Sequence, residues 1–151
     1  SQGRIAEFSN PDLTLQQAIE AYFSRQLFPL GQGERMLQCL RLHMREMLEP
    51  TGQWEQEIEQ NIAPVHDALA ALFCRHLGLE QVDEGVQRLV LAVVSMPFIL
   101  MTQSIVHITC PHILQRADAA SVAIASHVRY ALALVESERA YRKQQRAQGV
   151  P

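Results

Sequence analysis

The chain has 151 residues, of which 48% are apolar and 19% are charged, and this is the size of one globular domain. Its formal net charge is −3, with 16 acidic residues against 13 basic ones. A free-standing DNA-binding domain usually carries a basic excess, because contacts to phosphate supply most of its affinity. The composition therefore indicates a single folded domain that does not bind nucleic acid on its own.

The spacing of apolar residues is helical along the whole chain, and no stretch alternates as a strand would. We expect an all-α domain of five helices, at about residues 12–27, 34–48, 54–76, 84–107 and 119–144. Pro64 lies inside the third helix and Pro97 inside the fourth, and each predicts a bend because proline lacks the backbone N–H. Asp83 is a good N-cap for the fourth helix, and Gly78 a good end for the third.

These boundaries divide the chain into three parts. Residues 1–11 are expected to be a linker, residues 12–144 the folded domain and residues 145–151 a tail. The start has no apolar core of a signal peptide. The chain has three cysteines, Cys39, Cys74 and Cys110, which are far apart in sequence. An odd number of widely spaced cysteines is typical of free thiols in a reducing compartment. We therefore expect a cytoplasmic location.

Residues 89–108 carry no formal charge and are numerous enough to cross a bilayer. Polar residues occupy the second half of this stretch, and no cluster of Lys or Arg flanks one side of it. A helix that is apolar all round is also typical of the buried centre of a domain. The pattern favours a buried helix over a membrane span.

The segment from residue 42 to residue 78 has a recognisable pattern of helix ends and turns. One helix ends in R-E-x-L-x-P, and a long helix follows with the core I-x-P-x-x-x-x-L and a terminal L-G, at Arg45, Glu46, Leu48, Pro50, Ile62, Pro64, Leu69, Leu77 and Gly78. This arrangement resembles the C-terminal effector-binding and dimerisation domain of TetR-family transcription regulators, in particular the YbiH- or CecR-like subgroup. The resemblance covers about residues 12–144.

The resemblance implies a bacterial regulator in which a small molecule alters the affinity of an N-terminal helix-turn-helix for operator DNA. No short helix, turn and basic reading helix occur in the first 30 residues. We therefore expect this chain to be the C-terminal portion, with operator contacts made only by the absent domain. We also expect that the protein is not an enzyme and needs no cofactor, because the sequence lacks a nucleophile motif and a phosphate-binding glycine loop.

The five methionines lie on only two of the predicted helices, the second and the fourth. Thioethers fill irregular space and repack around varied guests, so these helices, with aromatic residues such as Tyr22 and Phe98, are suited to an adaptable apolar pocket. We expect a cavity lined by the second to fifth helices, which would bind a small apolar or amphipathic effector. The candidate wall residues are His43, Met44, Phe73, Met96, Gln103 and Tyr130.

The fourth helix is too apolar to be covered by one neighbour, and the fifth is rich in small residues on one side. Since monomers rarely expose a large apolar patch, a second copy of the chain is the expected cover. We predict a two-fold homodimer in which these helices form a four-helix bundle. The predicted contacts are Val86, Val90, Val93, Val122, Val128 and Leu132, with Arg129 at the rim.

An alternative function is a helical-bundle metal-binding protein or enzyme. His107, Cys110 and His112 form an H-x-x-C-x-H cluster, and thiolate and imidazole are good ligands for zinc or copper. The cluster lacks a fourth ligand, Pro111 restricts how its members converge, and the same residues could simply end a helix. No nucleophile motif and no phosphate-binding glycine loop occurs in the sequence, so the sequence predicts no catalytic residue, no cofactor and no firm metal site.

Overall fold

The computed structural model describes the backbone of residues 2–150 and the side chains of residues 5–150. Within these residues the fold is all-α, as predicted, and contains no strand. The helices are α1 Gln2–Ser9, α2 Leu15–Leu27, α3 Glu34–Leu48, α4 Gly52–Glu57, α5 Ala63–Leu77, α6 Glu84–Ser95, α7 Phe98–Thr102, α8 Ser104–Thr109, α9 His112–Gln115 and α10 Ala119–Ala147.

Helix α1 occupies the region predicted to be a linker. Its Phe8 is buried and packs on Tyr22 of α2, with 5.9 Å between the ring centroids. The guanidinium of Arg75 on α5 donates a hydrogen bond to the carbonyl of Phe8. An isolated helix of this length is unstable in water, so these contacts with α2 and α5 explain why the local sequence did not predict it.

Helix α2 begins with a capping box. The hydroxyl of Thr14 accepts a hydrogen bond from the backbone N–H of Gln17 (3.1 Å), and the Gln17 side chain accepts one from the N–H of Thr14 (2.9 Å). The helix ends at Leu27, and a short 3-10 turn, Phe28–Gly31, carries Pro29. Helix α2 packs along α10 and forms the centre of the core with it.

The predicted third helix is divided by a π-helical segment, Ile58–Ile62, which joins α4 to α5. The segment ends two residues before Pro64, so the helix is irregular in the turn where a kink was predicted. Proline cannot donate the hydrogen bond that a regular α-helix needs there, and the wider turn accommodates the missing donor. Gly78 ends α5 in the left-handed conformation, with φ of 69°.

The predicted fourth helix is three helices, α6, α7 and α8. The first break follows from Pro97, as predicted, whereas the second lies at Gln103, which has a left-handed φ of 60°. Glu84–Thr102 is apolar and long enough to cross a membrane by length and composition. In the structure, Val86, Val90 and Val93 face the core, while Leu91 and Ile99 are exposed. The segment is therefore buried on one face and not all round.

Helix α10 closes the domain and covers α2, α5 and α6. Its His127 is buried, with Nδ1 at 2.7 Å from the carbonyl oxygen of Ala123 and Nε2 at 3.3 Å from that of Met96. The second contact connects α10 to the break between α6 and α7. The Phe23 ring of α2 meets the same imidazole edge to face at 5.4 Å.

Candidate effector cavity

A cavity of about 840 Å³ lies between α2, α3, α5, α6 and α7, and we call it the main cavity. This volume is within the range of sites that enclose small organic molecules. Its wall is formed by Tyr22, Arg25, Gln26, Pro29, Leu40, His43, Met44, Met47, Asn61, Ile62, Val65, His66, Leu91, Ala92, Val94, Ser95, Pro97, Phe98 and Met101. Most of these side chains are apolar, and three are methionines.

The breaks in the helices shape this wall. The π-helical segment places the neighbouring residues Asn61 and Ile62 in the wall, and α5 adds Val65 and His66 from the next turn. At the helix break near Pro97, residues on both sides of the break, Ser95 and Phe98, likewise face the same space. Irregular turns of this kind often occur at functional sites because they redirect side chains that a regular helix would separate.

A few polar groups interrupt the apolar wall. The Asn61 amide donates to the carboxylate of Glu57 at 2.9 Å, and the guanidinium of Arg25 on α2 is paired with Glu7 on α1. Burial lowers the pKa of His66, and the nearby Asp67 carboxylate only partly opposes this effect. The His66 imidazole is therefore neutral at pH 7 and can both donate and accept one hydrogen bond.

His43 lies in the wall of the main cavity and also contacts α4. Its ring meets the buried Trp54 ring of α4 edge to face, with 4.8 Å between the centroids.

A second cavity of about 850 Å³ lies next to the main cavity, against α3 and α7–α8, and the two share Met44, Met47 and Phe98. The second cavity also includes Arg41 and Arg45. The methionines thus form a deformable partition between two neighbouring spaces.

Two of the six predicted wall residues, His43 and Met44, line the main cavity. The other four lie elsewhere: Phe73 is fully buried in the core, Met96 offers its carbonyl to His127, and Gln103 is buried at the second helix break. Tyr130 is half exposed on the outside of α10. The fifth predicted helix therefore contributes no residue to the wall. The first predicted helix contributes Tyr22, Arg25 and Gln26. Of these three, only Tyr22 was named from sequence, as an aromatic residue suited to a pocket.

Most of the predicted dimer residues are covered by the chain itself. Leu132 is half buried against the core of the single chain. Four predicted valines lie within that core: Val86, Val90, Val93 and Val128. The three α6 valines pack towards α5 and α10 of the same chain, and Val128 and Leu132 of α10 pack in or against the same core. These five residues therefore belong to the core of the single chain and not to the predicted interface. Val122 and Arg129 are exposed, and the Arg129 guanidinium lies 5.1 Å from the centroid of the Tyr130 ring.

The outward surface nevertheless contains many large apolar side chains. On α10, four of them recur at helical spacing, and we call them the outer α10 face: Val122, Tyr130, Leu134 and Tyr141. Four isoleucines are exposed on the α7–α9 segment that precedes this helix, namely Ile99, Ile105, Ile108 and Ile113. Exposed apolar groups of this number on neighbouring elements are typical of an association surface.

The candidate metal ligands do not form a metal site in the described part of the chain. No group of three His, Cys, Asp or Glu side chains is placed there to hold an ion. His107 lies on α8 beside the second cavity, and the sulfur of Cys110 is 3.4 Å from the hydroxyl of Thr109. The alternative function of a metal-binding protein or enzyme therefore has no support.

Comparison with known protein families identifies the domain. The family model of the C-terminal domain of the HTH-type transcriptional dual regulator CecR matches residues 15–134, which run from the start of α2 into α10. Searches of curated proteins and of solved structures found no match. The match covers more than half of the chain, and the chain therefore belongs to the CecR C-terminal domain family of TetR-type transcription regulators.

Proposed function

We propose that this domain senses a small amphipathic molecule in the main cavity and forms the dimer of a bacterial, cytoplasmic regulator. The observation that carries the proposal is the largely apolar cavity of about 840 Å³ with a few polar groups in its wall. Such a wall is suited to ligands that are held by burial and oriented by one or two hydrogen bonds. The family match supports the same role, since it is that of a regulator domain.

The occupant would act by favouring one conformation of the domain. A ligand shifts such an equilibrium only by the difference between its affinities for the two states. The wall is built from several short helices that meet at breaks, and these can rearrange more readily than one continuous helix. In the whole regulator, the change would alter the spacing of two N-terminal helix-turn-helix units, which must match DNA half-sites roughly 34 Å apart.

Two-fold association through the outer α10 face would supply the two reading units. Tyr130 and Leu134 lie one helical turn apart on this face, and both are exposed. A two-fold interface places the same patch of each copy against the other, which suits a single apolar stripe on a long helix. The exposed isoleucines of α7–α9 would widen the contact, so the proposed dimer uses the fifth predicted helix, the second half of the fourth and the connection between them.

The test uses phenylnaphthylamine, a neutral apolar fluorophore whose emission rises when it leaves water. We expect saturable binding of one molecule per chain. Ala92→Trp should abolish it, because Ala92 is in the wall and a large ring there would fill the cavity. The matched control is Ala71→Trp, at an exposed position of α5 outside the wall. Unchanged binding by the Ala92→Trp chain would contradict the proposal.

We also expect no catalysis by this chain. A regulator domain needs only reversible binding, and the polar groups of the main cavity include no nucleophile paired with a base among the described hydrogen bonds. The effector, once identified, should be recovered unchanged after incubation with the protein. Recovery of a chemically altered effector would require a different function.

A further inference from the structure

We infer that Arg25 is the anion-recognising group of the main cavity, and that the effector is an amphipathic molecule with one oxyanion, such as a carboxylate or sulfonate. This inference rests on the proposed function, since it needs the cavity to hold a ligand. It goes further by stating the chemical class of that ligand. It also assigns to Glu7 the role of an internal competitor for the same guanidinium.

The charges of the wall carry the first step. Of the described residues that line the main cavity, Arg25 is the only Arg or Lys, and none is Asp or Glu. Burial keeps His66 neutral by lowering its pKa. A cationic occupant would therefore meet the Arg25 guanidinium with no acidic side chain in the wall to attract it. An anionic occupant would meet one complementary charge beside an apolar space, which is the pattern that an amphipathic anion requires.

The Arg25 guanidinium has donors that its contact with Glu7 does not use. The group donates from Nη2 to one carboxylate oxygen of Glu7, and the Arg25 side chain remains 39% exposed. A guanidinium has five N–H donors arranged to hold a carboxylate through two bonds. The Glu7 contact uses one donor, so the group can bind an oxyanion from the cavity side. Two carboxylates on one guanidinium repel each other, and binding of the effector would weaken the Glu7 contact.

Glu7 connects the main cavity to α1 through its ion pair with Arg25. Glu7 belongs to α1, which is held on the domain by this ion pair, by the packing of Phe8 on Tyr22 and by the bond from Arg75 to the Phe8 carbonyl. Two of these three contacts involve wall residues of the main cavity, Tyr22 and Arg25. An anionic occupant would thus loosen α1, whereas a neutral occupant of the same shape would leave the ion pair in place.

The test compares anilinonaphthalene sulfonate with phenylnaphthylamine, which has the same rings without the sulfonate. Arg25→Gln should weaken binding of the sulfonate roughly tenfold or more, because a charge-assisted hydrogen bond is lost. Its affinity for the neutral probe should change less than about twofold. Glu7→Gln should strengthen binding of the sulfonate and leave the neutral probe unaffected. The control is Arg88→Gln, which removes an exposed arginine that is paired on α6 but lies outside the wall.

Amide hydrogen exchange in α1 provides a readout independent of affinity. The sulfonate should speed exchange at residues 5–9 in the wild-type chain, and phenylnaphthylamine should not. Equal losses of both probes on Arg25→Gln, or weaker sulfonate binding on Glu7→Gln, would overturn the inference while leaving the cavity as a binding site. Failure of both probes to bind the wild-type chain would instead overturn the proposed function itself.

Discussion

Asp83 accepts two hydrogen bonds of 2.7 Å from the guanidinium of Arg142, one on each carboxylate oxygen. The same carboxylate caps α6 by accepting from the N–H of Val86 at 3.0 Å, and Arg142 also donates to Glu138 at 2.8 Å. One side chain therefore begins α6 and fastens it to the last third of α10. The bonds from Arg142 and Val86 hold the pKa of Asp83 well below its usual range.

Replacing Asp83 should separate its two roles. Asp83→Asn keeps a good cap but loses the charge pair, and we expect a loss of about 1 kcal/mol in the free energy of unfolding, because the half-exposed pair is screened by water. Asp83→Ala loses the cap as well, for a total of about 2 kcal/mol. Urea unfolding measures both changes. Glu136→Gln, in an exposed pair on α10, is the control and should cost less than about 0.5 kcal/mol.

The pKa of Asp83 also predicts how stability depends on pH. Because the folded-state pKa is lowered, the unfolded chain takes up this proton first on acidification. The stabilisation is complete above the ordinary pKa of about 4 and is lost as the pH falls below it. The difference in unfolding free energy between the wild-type chain and Asp83→Asn should therefore shrink from pH 6 to about pH 3. A difference that stays constant over this range would contradict the assignment.

Gly85 gives the Arg142 side chain room to reach Asp83. A Cβ added at Gly85 would lie 2.6 Å from Nη2 of Arg142 and 2.9 Å from Oε1 of Glu138. Gly85→Ala should gain up to about 1 kcal/mol from helix propensity but lose it again by displacing the guanidinium. In an Arg142→Gln chain, the same change should be stabilising. Equal effects of Gly85→Ala in the two backgrounds, measured by urea unfolding, would exclude this coupling.

Phe73 and Met44 were both predicted from sequence to line the cavity, and the structure separates them. Phe73 is fully buried in the core, so Phe73→Ala should cost about 3–5 kcal/mol in unfolding free energy. Met44 is half buried in the wall, so Met44→Ala should cost less than about 2 kcal/mol and alter the affinity for phenylnaphthylamine. Comparing stability with probe affinity for both variants checks the distinction. A Phe73→Ala chain of normal stability would place that residue outside the core.

A charge on the outer α10 face should separate the proposed dimer. Tyr130→Asp and Leu134→Asp alter exposed residues, so each should give a folded monomer of 17.0 kDa with unchanged helical circular dichroism. Analytical ultracentrifugation at low micromolar concentration measures the mass. Ala71→Asp, at an exposed site on α5, is the control and should remain a dimer. Val128→Asp would not be informative, because Val128 is buried within the single chain and its loss would disturb the fold.

Local chemistry predicted the parts of the fold that depend on neighbours in sequence. The bounds of α3 agree with the prediction, Asp83 caps α6, Gly78 ends α5, and the regular α-helix is interrupted next to Pro64 and Pro97. Each of these features follows from an apolar period, a side-chain cap, a glycine that adopts the left-handed conformation or a missing N–H within one or two turns. His43 and Met44, which were predicted as wall residues for their adaptable or amphipathic side chains, both lie on the correctly bounded α3 and line the main cavity.

Tertiary packing decided the rest. The valines of α6 and Phe73 of α5 are apolar residues at helical spacing, and sequence does not say whether such a face meets its own chain, a cavity or a second copy. Helix α1 is stabilised by the packing of Phe8 on Tyr22 of α2, and the sequence near Phe8 does not predict this contact. The predicted fourth helix is also interrupted at Gln103, which is neither proline nor glycine, and this residue is buried with a left-handed backbone that no local sequence signal predicts. Sequence thus determined the helix ends and breaks that depend on near neighbours. Long-range packing determined the existence of α1, the break at Gln103 and the faces that surround the cavity, because burial depends on what lies opposite a residue in space.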